Sequence, residues 1–397
     1  MRVASHIEAM QSSYVREILA AASAADIISL AGGLPPADRF PLPLVADDLA
    51  GLAARPDLFQ YGETRGHPDL LHFLHHYYGL TNHQDLLICS GSQQGLDLIA
   101  RTFINAGDTV VMEAPCYPGA IQVFSLARAH VETVPQGPLG PDTARLESLF
   151  RDNRVKMFYA VPDFHNPTGI CWSGATRQIV ARLCRQYGVT FIEDAPYREL
   201  RFSGASQPMV STLCPERTLV LRSFSKIATP GIRLGSITGR CEWIKSLIGV
   251  KQGMDLHTNL PFQHIVLQLL SHPGYKNYLN ALGKCFGQKY KALAAALVEY
   301  MPGACRFREV EGGMFLWLQL GADIDSQELA RLALLQRVAV VPGTAFYPIA
   351  TAAAPALRLN FTHPSRGLLR QAAQTLGRIV REEMKNGATA GEAAPIR

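Results

Sequence analysis

Residues 218–233 read Thr218-Leu219-Val220-Leu221-Arg222-Ser223-Phe224-Ser225-Lys226-Ile227-Ala228-Thr229-Pro230-Gly231-Ile232-Arg233. An apolar run of strand length feeds straight into a loop of Ser, Lys, Thr, Pro and Gly, so the lysine is delivered at a strand end. Most lysines sit solvated on surfaces, and a strand-end lysine departs from that habit. Two earlier segments have the same form. Ile192-Glu193-Asp194-Ala195-Pro196-Tyr197 closes an apolar strand with a carboxylate, and His165-Asn166-Pro167-Thr168-Gly169 follows another.

Working outward, short apolar runs at Leu86–Cys89, Thr109–Met112, His130–Val134, Met157–Val161, Val189–Ile192, Thr218–Arg222 and Leu234–Thr238 alternate with helical patterns. Between the first two, Leu96, Ile99, Phe103 and Ile104 share one helical face, with Ser92 as a cap and Asn105-Ala106-Gly107-Asp108 as a stop. Strands separated by helices predict an α/β fold, with a mainly parallel seven-stranded sheet between helices. Toward the C-terminus a long amphipathic pattern, Asn280–Tyr300, precedes strand patterns at Phe315–Leu320, Ala339–Val341 and Ala356–Phe361 and a helix near Gly367–Lys385. These form a smaller α+β domain. At 397 residues the chain is long enough for both units. The expected division is a helix and joining segment over 1–45, a large domain over 46–285 and a small domain over 286–397, with a tail that frays from about 386.

Composition excludes several classes. Nearly half the residues are hydrophobic and 18% are charged, as in a well-buried globular protein. The net charge of +5 is mild and its lysines and arginines are scattered. No basic stripe points to nucleic acid, and an anionic small molecule suits the excess better. The eight cysteines stand singly, without Cys-x-x-Cys or a Cys/His group, so neither a disulfide framework nor a metal site is expected. Free thiols imply a reducing compartment, here the cytoplasm. Glu8, Arg16 and Glu17 interrupt any apolar leader, and prolines break the uncharged stretch Val338–Leu357, so no membrane span is expected.

The chemistry follows from the strand-end residues. A lysine amine condenses with an aldehyde, and an aspartate holds a pyridine nitrogen protonated; these are the two protein groups that pyridoxal phosphate chemistry requires. Gly91-Ser92-Gln93 follows a strand and opens a helix, so free N–H groups and the helix dipole face an anion there. Ser223, Ser225 and Arg233 add hydroxyls and a charge-assisted contact for a phosphate. No strand-following Gly-x-Gly-x-x-Gly, Walker-type lysine loop or His-Glu-x-x-His offers another cofactor class.

The chain resembles the fold-type-I pyridoxal-phosphate aminotransferases of class I/II, in the branch of 2-aminoadipate and kynurenine aminotransferases. The likeness runs from Ile28 to Phe361. Its markers are Ile28-Ser29-Leu30-Ala31-Gly32-Gly33-Leu34-Pro35, Gln60-Tyr61-Gly62, Ser90-Gly91-Ser92-Gln93-Gln94, Asn166-Pro167-Thr168-Gly169, Asp194 with Tyr197, the lysine segment, and Arg358-Leu359-Asn360-Phe361. The resemblance implies an exchange of the amino group between an L-amino acid and a 2-oxo acid, with glutamate and 2-oxoglutarate as one pair. Lys226 would form the aldimine and move the proton at Cα. Asp194 would pair with the pyridine nitrogen, Tyr197 and Asn166 with the phenolic oxygen, and Tyr117 would stack on the ring. Arg358 would hold the α-carboxylate with Gly33 beside it, and Arg16 is a candidate for a distal carboxylate. Tyr61 would reach the phosphate of a neighbouring subunit, which implies a homodimer. His165 stands where many relatives carry glutamine; beside the ring it either titrates near neutrality or packs.

Two other functions compete. A lyase, cyclase or decarboxylase would use the same lysine and carboxylate, because pocket geometry decides the outcome. A ligand-sensing domain of a transcription regulator would carry a DNA-binding module first, and only Met1–Asp26 precede the matching part.

Overall fold

The structure, a computed structural model, describes residues 2–4, 7, 26–152, 154–348 and 354–392, with side chains placed to 385. Its large sheet has the spatial order Gln84–Cys89, Gly235–Arg240, Thr218–Ser223, Thr190–Asp194, Val155–Ala160, Thr109–Ala114, His130–Gly137, Gly140–Pro141. All seven expected strands are present, and the eighth corrects the count. Gly140–Pro141 folds back on Gln136–Gly137, and two residues are too few to leave a period in the sequence. The strands from Thr218–Ser223 across to His130–Gly137 are parallel. Gly235–Arg240 is antiparallel to both of its neighbours, so the sheet is mixed at that end.

Alternation along the strands builds a core on each face. In Val155–Ala160, Met157 and Tyr159 join one apolar cluster while Phe158 and Ala160 join the other. The first cluster is covered by helices Ser92–Phe103 and Pro118–Leu126, the second by Thr143–Asp152 and Gly174–Tyr187. Trp172 and Phe158 stack at 6.1 Å in the second. Parallel strands buried on both faces leave only their ends for polar chemistry.

A second sheet orders Arg306–Phe307, Phe315–Gln319, Ala356–Asn360 and Val341–Pro342, all antiparallel. Ile28–Ser29 pairs in parallel with Val338–Ala339, and the Asn360 N–H donates to the Leu30 carbonyl. The segment before Gly33 is thereby fastened to the second sheet. The long helix starts at Tyr275, earlier than its periodicity suggested, because Tyr275 and Tyr278 stack across its first turn. The last helix, Arg366–Glu392, runs past the expected fraying point. Among the described residues no helix is long and apolar enough to cross a membrane.

Arg177 is fully buried between Asp163, at 2.8 Å, and Glu193, at 3.9 Å, and also donates to the carbonyls of Trp172, Pro162 and Pro208. Burial opposes the Asp163 charge, yet Arg177 and Arg198 hold that carboxyl below its usual range. Removing one partner of such a group strands the other. Arg177→Met should cost about 3–5 kcal/mol in urea unfolding. A loss below about 1 kcal/mol would mean that Arg198 alone satisfies Asp163.

Candidate active site

The C-terminal ends of the parallel strands open into one cavity of about 330 Å3. Three turns bring their residues here. Asp194 is the last residue of its strand, Ser223 the last of the next, and Gly91 follows Cys89 at the same sheet edge, since Cys89 and Ser223 both register with Gly235. Ligands in open α/β sheets bind at this edge.

Gly91, not Ser92, is the helix N-cap, with φ +82° and no capping side chain. This corrects the expected cap and leaves the first N–H groups of the helix without a side-chain acceptor. A Cβ at Gly91 would stand 3.0 Å from the Arg233 guanidinium, so the two share a cradle open to an anion. Arg233 donates to the Ser90 carbonyl at 3.3 Å and to Ser225 Oγ at 3.5 Å. Ser223 Oγ accepts from the Ser225 N–H.

Lys226 closes a 3-10 turn and donates from Nζ to the Gly33 carbonyl at 2.6 Å. Burial, then the charges of Arg233 and Arg358, push its amine down to about 8. A Cβ on Gly33 would meet the Phe315 ring at 3.1 Å, so a bare backbone is needed for that approach. Asp194 accepts from Tyr159 at 2.7 Å through Oδ2, while its buried Oδ1 has no partner among the described residues. Burial pushes its carboxyl up to about 7, and the Tyr159 hydroxyl only partly opposes this. Neither a helix cap nor an arginine explains Asp194. Its free oxygen fits the protonated nitrogen of a pyridine ring.

Arg358 lies between Phe315 and Phe346, 4.4 and 5.1 Å from their ring centres. It donates to Asn166 Oδ1 at 2.9 Å and to the Ala31 carbonyl, and its Nε is buried with no partner among the described residues. Burial lowers its pKa to about 10, still charged at neutral pH. Tyr197 packs edge-on to Phe315 and bonds to Asn166, while Tyr117 donates to Gln93 at 3.0 Å.

The cavity therefore gathers Gly33, Gly91, Ser92, Gln93, Tyr117, Asn166, Asp194, Tyr197, Ser223, Ser225, Lys226, Arg233 and Arg358. Tyr61 is elsewhere, 78% exposed with its ring against His257. Arg16 lies outside the described residues. His165 sits behind the cavity and is buried, with its imidazole pushed down to about 3 by burial, so it packs and does not titrate near neutrality. Sequence reasoning missed Tyr159, Phe315 and Phe346. Tyr159 is the penultimate residue of its strand and registers with Ile192, two residues before Asp194, a signal the alternation carried.

These residues fit pyridoxal phosphate on two structural counts, the orphaned Asp194 oxygen and the uncapped helix start beside Arg233. The comparisons agree. The family described as aminotransferase class I and II matches residues 25–376. The chain is 34% identical over 378 residues to a 2-aminoadipate transaminase of Thermus thermophilus, covering 94% of each. A kynurenine aminotransferase structure from Pyrococcus horikoshii superposes with a TM-score of 0.92 at 34% identity, over 96% of this chain and 97% of that one. A multiple substrate aminotransferase from Thermococcus profundus gives 0.92 at 32% identity, over 97% and 98%. The fold and site define a fold-type-I pyridoxal-phosphate-dependent transferase. The chain belongs to the class I and II aminotransferases, in the 2-aminoadipate and kynurenine aminotransferase branch.

Asp194 makes this site visible in stability. Its folded pKa lies above the unfolded value, so its contribution is fully present below about pH 4 and is lost as pH rises through about 7. Cofactor-free Asp194→Asn should gain on the native protein across that window, by on the order of 4 kcal/mol at pH 8. Melting curves from pH 4 to 8 check this, and parallel curves for the two proteins would refute it.

Proposed function

We propose that the cavity is the transamination site, with glutamate and 2-oxoglutarate as one substrate pair. The observation that carries this reading is the meeting of a low-pKa lysine, an unpartnered buried carboxylate and a buried arginine in one cavity. Pyridoxal phosphate, when bound, supplies an aldehyde for condensation with amines and a ring that withdraws electrons. Asp194 Oδ1 holds the proton of the pyridine nitrogen. Ser92, Ser223, Ser225, Arg233 and the N–H groups after Gly91 hold the phosphate. Tyr197 and Asn166 hold the phenolic oxygen, and Tyr117 covers the ring. Arg358 fixes the substrate α-carboxylate, using the Nε–H that lacks a partner, with the Gly33 backbone alongside. Lys226 Nζ carries the proton to and from the substrate Cα. A depressed pKa leaves much of this amine neutral near pH 8, as a base requires.

The described wall also includes Leu34, Val161 and Phe315, which suits an apolar or aromatic substrate side chain. A distal carboxylate is assigned to Arg16, the part of the proposal that rests on sequence alone. All eight cysteines are free, which supports a cytoplasmic location. The homodimer is proposed because Tyr61 stands outside the cavity, exposed and against His257, two residues after the exposed Phe59, where a second copy could meet it.

Lys226→Ala should stay folded and lose turnover by several orders of magnitude. Borohydride reduction of the holoenzyme and peptide mapping should place the cofactor on Lys226; label on another lysine overturns the assignment. Glutamate should discharge the pyridoxal absorbance and 2-oxoglutarate restore it. A pyridoxal absorbance that glutamate leaves unchanged favours a lyase, cyclase or decarboxylase. For Tyr61, mixing Lys226→Ala with Tyr61→Phe protomers should restore cofactor affinity at the lysine-bearing site. No recovery after proven subunit exchange places Tyr61 with its own subunit's cofactor.

A further inference from the structure

Behind the cavity lies a buried polar cluster that the proposed chemistry does not use: Glu113, Gln136, His165, Thr168 and Trp172. Glu113 and His165 are each 1% exposed. Glu113 Oε1 accepts from Trp172 Nε1 at 2.9 Å and from Gln136 Nε2 at 2.8 Å. Glu113 Oε2 has no hydrogen-bond partner among the described residues and stands 3.6 Å from His165 Nε2.

Proton accounting fixes every orientation in this cluster. An indole N–H only donates, so Glu113 Oε1 is an acceptor there, and with the Gln136 amide donating to the same oxygen a proton on this carboxyl falls to Oε2. Gln136 therefore presents its amide NH2 to Oε1 and its carbonyl to Thr168, whose hydroxyl donates to it at 2.6 Å. The single Thr168 proton is then committed. The Thr168 oxygen must accept from His165 Nδ1 at 3.0 Å, which makes Nδ1 the protonated nitrogen. In a neutral ring Nε2 is then an acceptor, and it faces Glu113 Oε2, a second acceptor; the Val161 N–H, which acts on this carboxyl to hold its pKa down, supplies no proton to His165 Nε2. Two lone pairs meet in a site closed to water, unless one proton lies between them.

We propose that Glu113 carries this proton on Oε2, directed at His165 Nε2 across the 3.6 Å that separates them, and that Glu113 is thereby a positioning residue for Asn166. Burial pushes the Glu113 carboxyl up to about 7 and the His165 imidazole down to about 3, both toward the uncharged pair. The other titratable neighbour that bears on Glu113 is Cys116, whose thiol burial pushes up and keeps neutral. The consequence reaches the cavity through one peptide. His165 receives the Gly169 N–H on its carbonyl and gives its own N–H to the Ile170 carbonyl, closing the turn that holds Asn166 against Arg358. The pair is a peg under that turn.

This inference rests on the assignment of Asn166 and Arg358 to the substrate and cofactor, and the test separates the two. The first measurement is the infrared difference spectrum of native holoenzyme against Glu113→Gln at pH 6, with labelled glutamate. The native enzyme should show the carbonyl stretch of a protonated carboxylic acid, absent in the variant. Absence of that band in the native enzyme, with a doubly protonated His165 in its nitrogen NMR spectrum, means an ion pair and overturns the proposal. The second measurement is kinetic. Glutamine supplies both the acceptor and the donor without a titrating proton, so Glu113→Gln should keep KM for the amino acid within about threefold of native. Glu113→Ala should raise KM roughly tenfold with a smaller fall in kcat. A tenfold rise in Glu113→Gln as well would mean that a charged carboxylate is needed, and would overturn the proposal even if the alanine variant does not fold. If instead Arg358→Ala leaves KM untouched for every amino acid, the carboxylate assignment fails while the infrared band stands.

Discussion

A carboxylate oxygen without a partner, buried at the end of a central strand, is the constraint from which the site follows. Asp194 sits where the sheet gives it no backbone donor beyond its own ladder and where Tyr159 satisfies only one of its oxygens. An isolated folding unit gains nothing from such a group, because desolvating a carboxylate costs more than one hydrogen bond returns. The site is thus incomplete by construction. In the proposed assignment, a cationic ring that meets Oδ1 would stabilise the fold and the chemistry together and so couple cofactor binding to stability.

The rest of the site is arranged so that its charges do not cancel one another. Lys226, Arg233 and Arg358 line one cavity, and among the described residues Asp194 is the one carboxylate in its wall. Burial and mutual repulsion lower the lysine pKa, the condition for an amine that must spend time unprotonated. An anion at the helix start and an anion at Arg358 relieve that repulsion from two sides. A phosphate and a substrate carboxylate are anions of the right kind.

Much of this was legible from sequence because parallel strands force polar residues to their ends. Lys226, Asp194 and Asn166 each follow an apolar run, and that pattern survives without any knowledge of packing. The cradle at Gly91 was legible in outline, yet the cap was misplaced by one residue, since only the positive φ of Gly91 decides it. Tyr159, Phe315 and Phe346 were not legible, because in sequence they are ordinary core aromatics and acquire roles only through neighbours far along the chain. The state of His165 was equally hidden. Its imidazole is pushed down by burial, and that burial comes from packing against Glu113 and Gln136, which two other strands bring around the turn of His165 and Thr168. Tyr61 shows the opposite limit: its exposure follows from one chain, and its proposed role requires a second.

Arg358 also bears on the entropy of recognition. A free arginine side chain carries about 2 kcal/mol of rotamer entropy, which a ligand ordinarily has to overcome when it freezes the guanidinium. Here the guanidinium is already held by two aromatic rings, Asn166 Oδ1 and the Ala31 carbonyl, and the Ala31 segment is itself fastened to the Arg358 strand through Leu30 and Asn360. Folding has frozen the fork in advance. On the proposed assignment, a small amino acid, with few atoms of its own to contribute, would meet a carboxylate site whose ordering is complete before it arrives, and its few contacts would be free to discriminate rather than to organise.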